Sequence, residues 1–225
     1  MERPDNRRYL AVIGDIRASR EHEGRAALQR TLVAGLESVN REFAEALAAR
    51  FVVTLGDEFQ GLLGEAGPAV EVLMALDNVL RGVPLRYALG WGTLSTPLRE
   101  EAVGIDGPCF HRAREAMVLA KKEDRDIVVS GFGRDDGTLN ALFSLVGVIR
   151  SGWKPVQRET VEAVRRAATS REVAAARGVA ESTVSKALRA AHYRPVLAGE
   201  RAIADIMRRY GGESTPDHPS GRETR

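Results

Sequence analysis

Two Gly-Asp pairs, Gly14-Asp15 in "AVIGDIRASR" and Gly56-Asp57 in "VTLGDEFQGLL", each close an apolar run. Asp57 is followed at once by Glu58, so adjacent carboxylates stand at the tip of what reads as a hairpin between core strands. A structural hairpin is served by Asn-Gly or Asp-Gly with neutral neighbours. Charges beside a core must be paired, solvated or bound to a metal. Two aspartates at neighbouring strand ends, with a backbone carbonyl, leave positions for water and phosphate oxygens, the usual way of holding Mg²⁺. The cation also relieves the repulsion between like charges held close together. Taken singly, Asp15 and Asp57 serve as well as Asx-turn residues, and Glu58 as a solvated edge charge. A basic block further on adds weight to the metal. "AREAMVLAKKEDRD" (113–126) ends a helix with Lys121, Lys122 and Arg125. Lys121 and Arg125 are four apart and are predicted to share a helical face and reach one anion. A basic helix C-terminus also complements the macrodipole, so spacing alone leaves both explanations open.

The elements that must position these residues follow from apolar patterning. "RYLAVIG" (8–14) reads as a central strand, and Leu28, Leu32, Leu36, Val39, Phe43 and Leu47 mark a long amphipathic helix over 24–49. Two short strands flank Gly56-Asp57. "PAVEVLMALDNVLRG" (68–82) has Pro at a helix start and Gly at its end. A strand over 84–96, a helix over 107–122 and a strand over 126–131 complete the order β-α-ββ-α-β-α-β. The pattern predicts an α+β fold, a mostly antiparallel sheet with helices on one face, of the ferredoxin-like or palm type. Its first strand lies beside the hairpin, which would turn Asp15 and Asp57 into one pocket. "GIDGP" (104–108) either offers a helix N-terminus to an anion or is an N-cap turn before Pro108. His111 lacks a His partner at metal-ligand spacing, and Trp91 and Trp153 read as packing residues.

Composition bounds the partners. The chain has 225 residues, 44% hydrophobic and 28% charged, and a single cysteine, Cys109, which excludes an intrachain disulfide or thiolate cluster. No apolar run approaches the ~18 residues of a membrane helix, and "MERPDNRRYLAVIGD" has no signal-peptide pattern, so a cytoplasmic protein without a membrane partner is expected. The net charge of +2 hides an asymmetry. Residues 151–225 carry 14 Lys/Arg against 9 Asp/Glu, and residues 1–150 carry 19 against 22. A basic back half makes nucleic acid a candidate partner.

With a boundary near Ser151 and Gly152, the expected organisation is a palm domain over 1–150, an all-α domain over 151–210 and a disordered tail over 211–225. Within the middle segment, "SREVAAARGVAESTVSKALRAA" sets Ala174, Gly178 and Val184 at offsets 0, 4 and 10. A helix-turn-helix needs a small residue where its helices cross, a left-handed Gly in the turn and an apolar anchor in the second helix. Ser170 is expected to cap the first helix and Glu181 to open a recognition helix over 181–192. Ser182, Thr183, Ser185, Lys186 and Arg189 lie on or beside its outer face, where such side chains suit phosphates and base edges of double-stranded DNA. A plain helical hairpin also uses a Gly turn.

"AVIGDIRASR", "VTLGDEFQGLL", "LRYALGWGTL" and "AREAMVLAKKEDRD" resemble the signature blocks of the nucleotidyl-cyclase superfamily, which includes GGDEF diguanylate cyclases and class III adenylyl and guanylyl cyclases. Gly56-Asp57-Glu58-Phe59 matches "GDEF", and Ala120-Lys121 with Arg125 matches the "AKxxGR" block. The resemblance implies Asp15, Asp57 and the Ile16 carbonyl as metal ligands, with Lys121, Arg125, Glu58 and Arg114 toward the nucleotide. Leu55 replaces the first GGDEF glycine, and Val53 stands where class III cyclases carry a purine-selecting lysine. If Arg114 is their helical arginine, Phe110 stands in place of their asparagine. Metal and phosphate parts are thus kept, while the base clamp is not recognisable. Across nearly the whole chain, "GDIRASR", "TLGDEFQGLL", "AVGIDGPCFHRAREAM" and "GWKPVQRETVEAV" are similar to the SatD family. The resulting expectation is a dimeric, nucleotide-responsive DNA-binding regulator that takes Mg²⁺ and a purine nucleoside triphosphate, GTP or ATP. The alternatives are an active nucleotidyl cyclase or nucleotidyltransferase whose basic segment only oligomerises, and an adaptor with a degenerate palm.

Overall fold

The structure, a computed structural model, describes residues 7–17, 25–79, 83–167 and 169–211. They form two compact units. One runs to Asn140 and resumes at Ala204, and the other spans Ala141–Ile203.

The first unit is a five-stranded mixed sheet in the order β2-β3-β1-β4-β5. Its strands are β1 (Tyr9–Ile16), β2 (Leu47–Leu55), β3 (Glu58–Leu63), β4 (Leu85–Gly92) and β5 (Ile127–Ser130). β1 is antiparallel to both β3 and β4, β2 is antiparallel to β3, and β4 and β5 are parallel. This is the palm-type order expected from β-α-ββ-α-β-α-β. All eight residues of β1 and all eight of β4 are buried. Such continuous burial requires a cover on both faces of the sheet.

The cover corrects the expectation of helices on one face. Helix α3 (Pro108–Lys122) lies on one side, where Cys109, Phe110, Ala113, Ala116, Met117 and Ala120 pack with Tyr9, Ala11, Ile13 and Ala88. Helices α1 (Arg25–Glu42) and α2 (Ala69–Val79) cover the other. There the Tyr87 hydroxyl donates to Asp77 of α2 at 2.9 Å, and Tyr87 meets Phe59 edge to face. The unbroken apolar run "RYLAVIG" already carried the signal for two-sided burial.

The helix expected over 24–49 also ends earlier. α1 stops at Glu42, and Leu47 and Ala49 belong to β2, paired with Leu63 and Leu62. The Asn40 amide turns the chain back, since it donates to the Phe51 carbonyl at 2.9 Å and accepts from the Phe51 N–H at 2.7 Å. A side chain thus supplies the ladder bonds that the outer edge of β2 would otherwise leave open. At the opposite edge Asn140 does the same for β5, accepting from the Val129 N–H at 3.0 Å and donating to its carbonyl at 2.9 Å. The last three residues of the helix expected over 68–82 lie outside the described residues, as do residues 212–225 of the expected tail.

β5 leads into α4 (Asp136–Ser151), an element absent from the expected order. In the second unit follow α5 (Pro155–Arg166), α6 (Ser170–Arg177) and α7 (Glu181–Ala190), and α8 (Tyr193–Arg208) closes the described chain. Val173, Ala174 and Val184 form a small core with Ala163, Val164, Ala167 and Leu188 packed against it. The Trp153 indole N–H donates to the Ala191 carbonyl at 2.7 Å, and Arg165 grips both oxygens of buried Glu200.

Packing of α3 on β4 is closest at Gly90, where an added Cβ would stand 2.0 Å from the Cys109 carbonyl oxygen and 2.5 Å from the Ala113 nitrogen. Both are backbone atoms of a helix and cannot step aside. Gly90→Ala is therefore expected to destabilise the protein by about 3 kcal/mol, the upper range for overpacking a core. Gly137→Ala, with nothing within 4 Å of the added carbon, should be neutral or slightly stabilising. Thermal or denaturant unfolding of the two variants checks the contrast.

Candidate functional site

The strand register assembles the site from three neighbouring strands. Asp15, the penultimate residue of β1, is paired with Glu58 of β3 on one side and Arg86 of β4 on the other. Directly opposed residues share a face of the sheet, so Glu58, Asp15 and Arg86 form a row on the side covered by α3. Above that row Lys121, in the last turn of α3, places its Nζ 3.0 Å from Asp15 Oδ1. The Asp15 carboxylate is largely buried, while half the lysine side chain is in water.

Asp57 occupies the β2–β3 turn one residue beyond the Glu58–Asp15 pair, next to Gly56 at φ 64°. The left-handed backbone at Gly56 is what lets the chain reverse tightly there. Glu58 is held by the Thr54 hydroxyl, which donates to its carbonyl at 3.2 Å. Ile16 ends β1 opposite Leu85, its side chain buried on the other face from Asp15. Asp15, Asp57, Glu58 and Lys121 are thus brought to one end of the sheet.

Arg125 and Arg114 are placed differently from the spacing argument. α3 stops at Lys122 and Asp124 takes a left-handed backbone, so Lys121 and Arg125 share no helical face. The Arg125 guanidinium donates to Asn140 at 3.0 Å and pairs with Glu123 at 3.4 Å. Arg114 lies about 10 Å up the helix axis from Lys121, seven residues toward its N-terminus. It pairs with Asp106 at 3.0 Å and lies over the Phe110 ring. His111 completes that cluster, its Nε2 3.1 Å from the other Asp106 oxygen.

Sequence reasoning missed Arg86, Arg17 and Asp124. Arg86 is buried, donates from Nε to the Arg125 carbonyl at 3.0 Å and pairs with Asp124 at 2.8 Å. Arg17 pairs with Asp124 and Asp126. The available signal was a lone charge in the apolar strand "LRYALGWG", because a buried arginine must be paired.

A second surface lies on α6 and α7. Gly178 caps α6 in the left-handed conformation at φ 64°, ψ 32°. The N-cap of α6 is Thr169, whose hydroxyl accepts from the Glu172 N–H, one residue before the expected Ser170. α7 ends at Ala190, two residues short of expectation, with Val184 buried and Ser182, Thr183, Lys186 and Arg189 exposed. Ser185 is half-buried. Residues 141–203 carry 11 Lys/Arg against 5 Asp/Glu.

Among the described residues no three His, Cys, Asp or Glu side chains gather as a metal cage. Mg²⁺ does not ask for one, since it commonly takes one or two carboxylates and completes its shell with water and phosphate. Asp15 and Asp57 fit that donor set in chemistry and in number. Among the described residues no helix is long and apolar enough to cross a membrane.

Strand order and hairpin define a mixed α+β domain built on a five-stranded sheet. The chain belongs to the SatD family, whose model matches residues 9–206. It is similar to the guanylate cyclase domain of RhGC from Catenaria anguillulae in complex with GTP, at 13% identity and a TM-score of 0.40, covering 49% of this chain and 72% of that one. A bacterial light-regulated adenylyl cyclase is similar at 9% identity and a TM-score of 0.42, over 55% of this chain and 75% of that one. The Regulator of Polyketide Synthase Expression from Bifidobacterium adolescentis is similar at 15% identity and a TM-score of 0.29, over 88% and 80%. A comparison with curated proteins finds no match.

The Asp106 cluster yields a pH prediction. Hydrogen bonds from His111 and then Arg114 hold the Asp106 carboxyl down to about 2. A depressed carboxyl stabilises the fold above its ordinary value and loses that contribution as pH falls toward about 2. Carboxyl ¹³C titration should find Asp106 near that value and, in His111→Ala or Arg114→Ala, nearer the ordinary carboxylate range.

Proposed function

We propose that the first unit binds a purine nucleoside triphosphate with Mg²⁺ and that the chain is a nucleotide-responsive DNA-binding regulator. The observation that carries the nucleotide half is the Lys121–Asp15 pair at the end of β1, beside Glu58 and the Gly56-Asp57 turn. Asp15 needs a cationic partner because its carboxylate is largely buried, and Lys121 is a replaceable one. A pair with one end in water is worth about 0–1 kcal/mol. When bound, the cation would neutralise carboxylates and phosphate oxygens together. Asp15 and Asp57 would hold it, Lys121 would turn from Asp15 to a phosphate, and Arg86 would keep the field beside Asp15 positive. Glu58 stays anchored by Thr54.

Asp57→Asn should abolish Mg²⁺-dependent stabilisation by GTP or ATP and leave the melting temperature of the free protein unchanged. It removes a ligand charge at a half-buried turn without touching the core. Unchanged nucleotide stabilisation in this variant would reject the site. Product analysis of the same incubations tests the rival enzyme, since a new cyclic or linear nucleotide would make the chain a cyclase or nucleotidyltransferase.

The DNA half rests on the geometry of α6 and α7. A left-handed Gly178 between two short helices, an anchor at Val184 and exposed Ser182, Thr183, Lys186 and Arg189 suit a helix-turn-helix whose α7 enters a major groove. A single α7 reads few base pairs, so two copies on two half-sites are expected. Lys186→Ala and Arg189→Ala should each lower the slope of log affinity against log salt by about one for every phosphate that the removed charge neutralised. No salt-sensitive binding of the full chain to any duplex would remove DNA from the account.

A further inference from the structure

The floor of the candidate site changes character within one step along β3. On the outer side of the Glu58–Asp15–Arg86 row the neighbours are charged: the Asp57 turn, Lys121, and Arg17 paired with Asp124 and Asp126. On the inner side the next row of the same face is Val52, Gln60, Ile13 and Ala88, with Leu62 and Ala11 beyond it. Gln60 is the one polar residue among these six, and it is only 7% exposed. A buried amide must account for both of its ends. Its Nε2 donates to the Ala102 carbonyl at 2.8 Å. Because a carbonyl only accepts, that bond fixes which end of the amide is which. Ala102 is itself tied to β2, its N–H donating to the Arg50 carbonyl at 3.2 Å. Among the described residues Gln60 Oε1 meets no protein donor, yet it is not sealed from solvent. Ile13, Leu62 and Ala102 around it are exposed by 1% or less, whereas Glu58 and Val52 are half-buried. The acceptor therefore opens on the Glu58 side, toward the candidate site.

We infer that Gln60 reads the base of the bound nucleotide and that the base is adenine. The inference rests on the purine triphosphate site proposed above. With phosphates and cation at the charged end, the nucleoside extends inward along β3. Gln60 lies two residues from Glu58, about 7 Å along the strand, a step that a ribose covers. The base then lies over Val52 with its polar edge at Gln60, where the protein offers an apolar floor and a single acceptor. Adenine matches that floor. The N–H donors of its pairing edge belong to one 6-amino group, which donates to Oε1. Guanine presents an acceptor, O6, at the same position. Its N1–H and 2-amino group would enter the same floor with at most one of them paired. A donor buried without a partner outweighs the gain from a hydrogen bond made. Guanine is thus rejected mainly by what it leaves unpaired.

The test uses the full chain with Mg²⁺ and four ligands: ATP, GTP, ITP and purine riboside triphosphate, which is ATP without its 6-amino group. Calorimetric titration should find ATP bound about tenfold or more tighter than each of the other three. Gln60→Met keeps the length of the side chain and removes the acceptor. This variant should bind ATP and purine riboside triphosphate equally, with circular dichroism and melting to check its fold. Should it not fold, the four affinities of the unaltered chain decide alone. Three results would overturn the inference and leave the nucleotide site standing. They are equal binding of ATP and purine riboside triphosphate by the unaltered chain, tighter binding of GTP, and a preference for ATP that Gln60→Met retains. No binding of any triphosphate would reject the site itself, and the inference with it.

Discussion

The close approach of α3 to β4 is the constraint from which the site follows. With Gly90 and Gly92 beneath it, the first turns of α3 sit almost on the strand backbone, where the Cβ of any other residue would collide with Cys109 or Ala113. Once those turns are fixed, a straight helix of fifteen residues delivers its last turn to the far end of the sheet. Lys121 therefore arrives over Asp15, and the same lever leaves Arg114 and His111 at the opposite end around Asp106. Two charge clusters on one helix are held apart by helix length. The two glycines act on the candidate site through α3, from the opposite end of the helix to Lys121.

At the Asp15 end, the sheet creates an electrostatic problem that no single side chain solves. Register sets Glu58 beside Asp15, a like-charge neighbour on the same face. Arg86 enters from the other side, but its guanidinium is committed to Asp124 and the Arg125 carbonyl. Lys121 is the nearest balancing charge, and it holds the carboxylate from solvent. The result is a carboxylate row compensated by one half-exposed lysine.

Much of this was legible in the sequence where local pattern and tertiary packing agree. The strand order, the limits of α3 and the turn at Gly178 were readable because apolar runs, Pro108 and the Ala174–Gly178–Val184 offsets state them directly. Reading failed where a distant partner decided. The periodicity through Phe43 and Leu47 continued a helix that Asn40 ends by bonding to Phe51. Lys121 and Arg125 are four apart along the chain, but Asp124 breaks the helix between them. Arg86 was overlooked because its partners lie 38 and 39 residues away.

The central claim is that Asp15 and the Asp57 turn share a divalent cation with a triphosphate. Paramagnetic relaxation measures it most directly. With Mn²⁺ in place of Mg²⁺ and a non-hydrolysable purine triphosphate present, backbone amide signals of residues 14–16 and 56–58 should broaden first, while those of α7 stay sharp. Broadening should require the nucleotide. Signals at Asp15 and Asp57 that remain sharp while others broaden, or that ignore the metal altogether, would contradict the account.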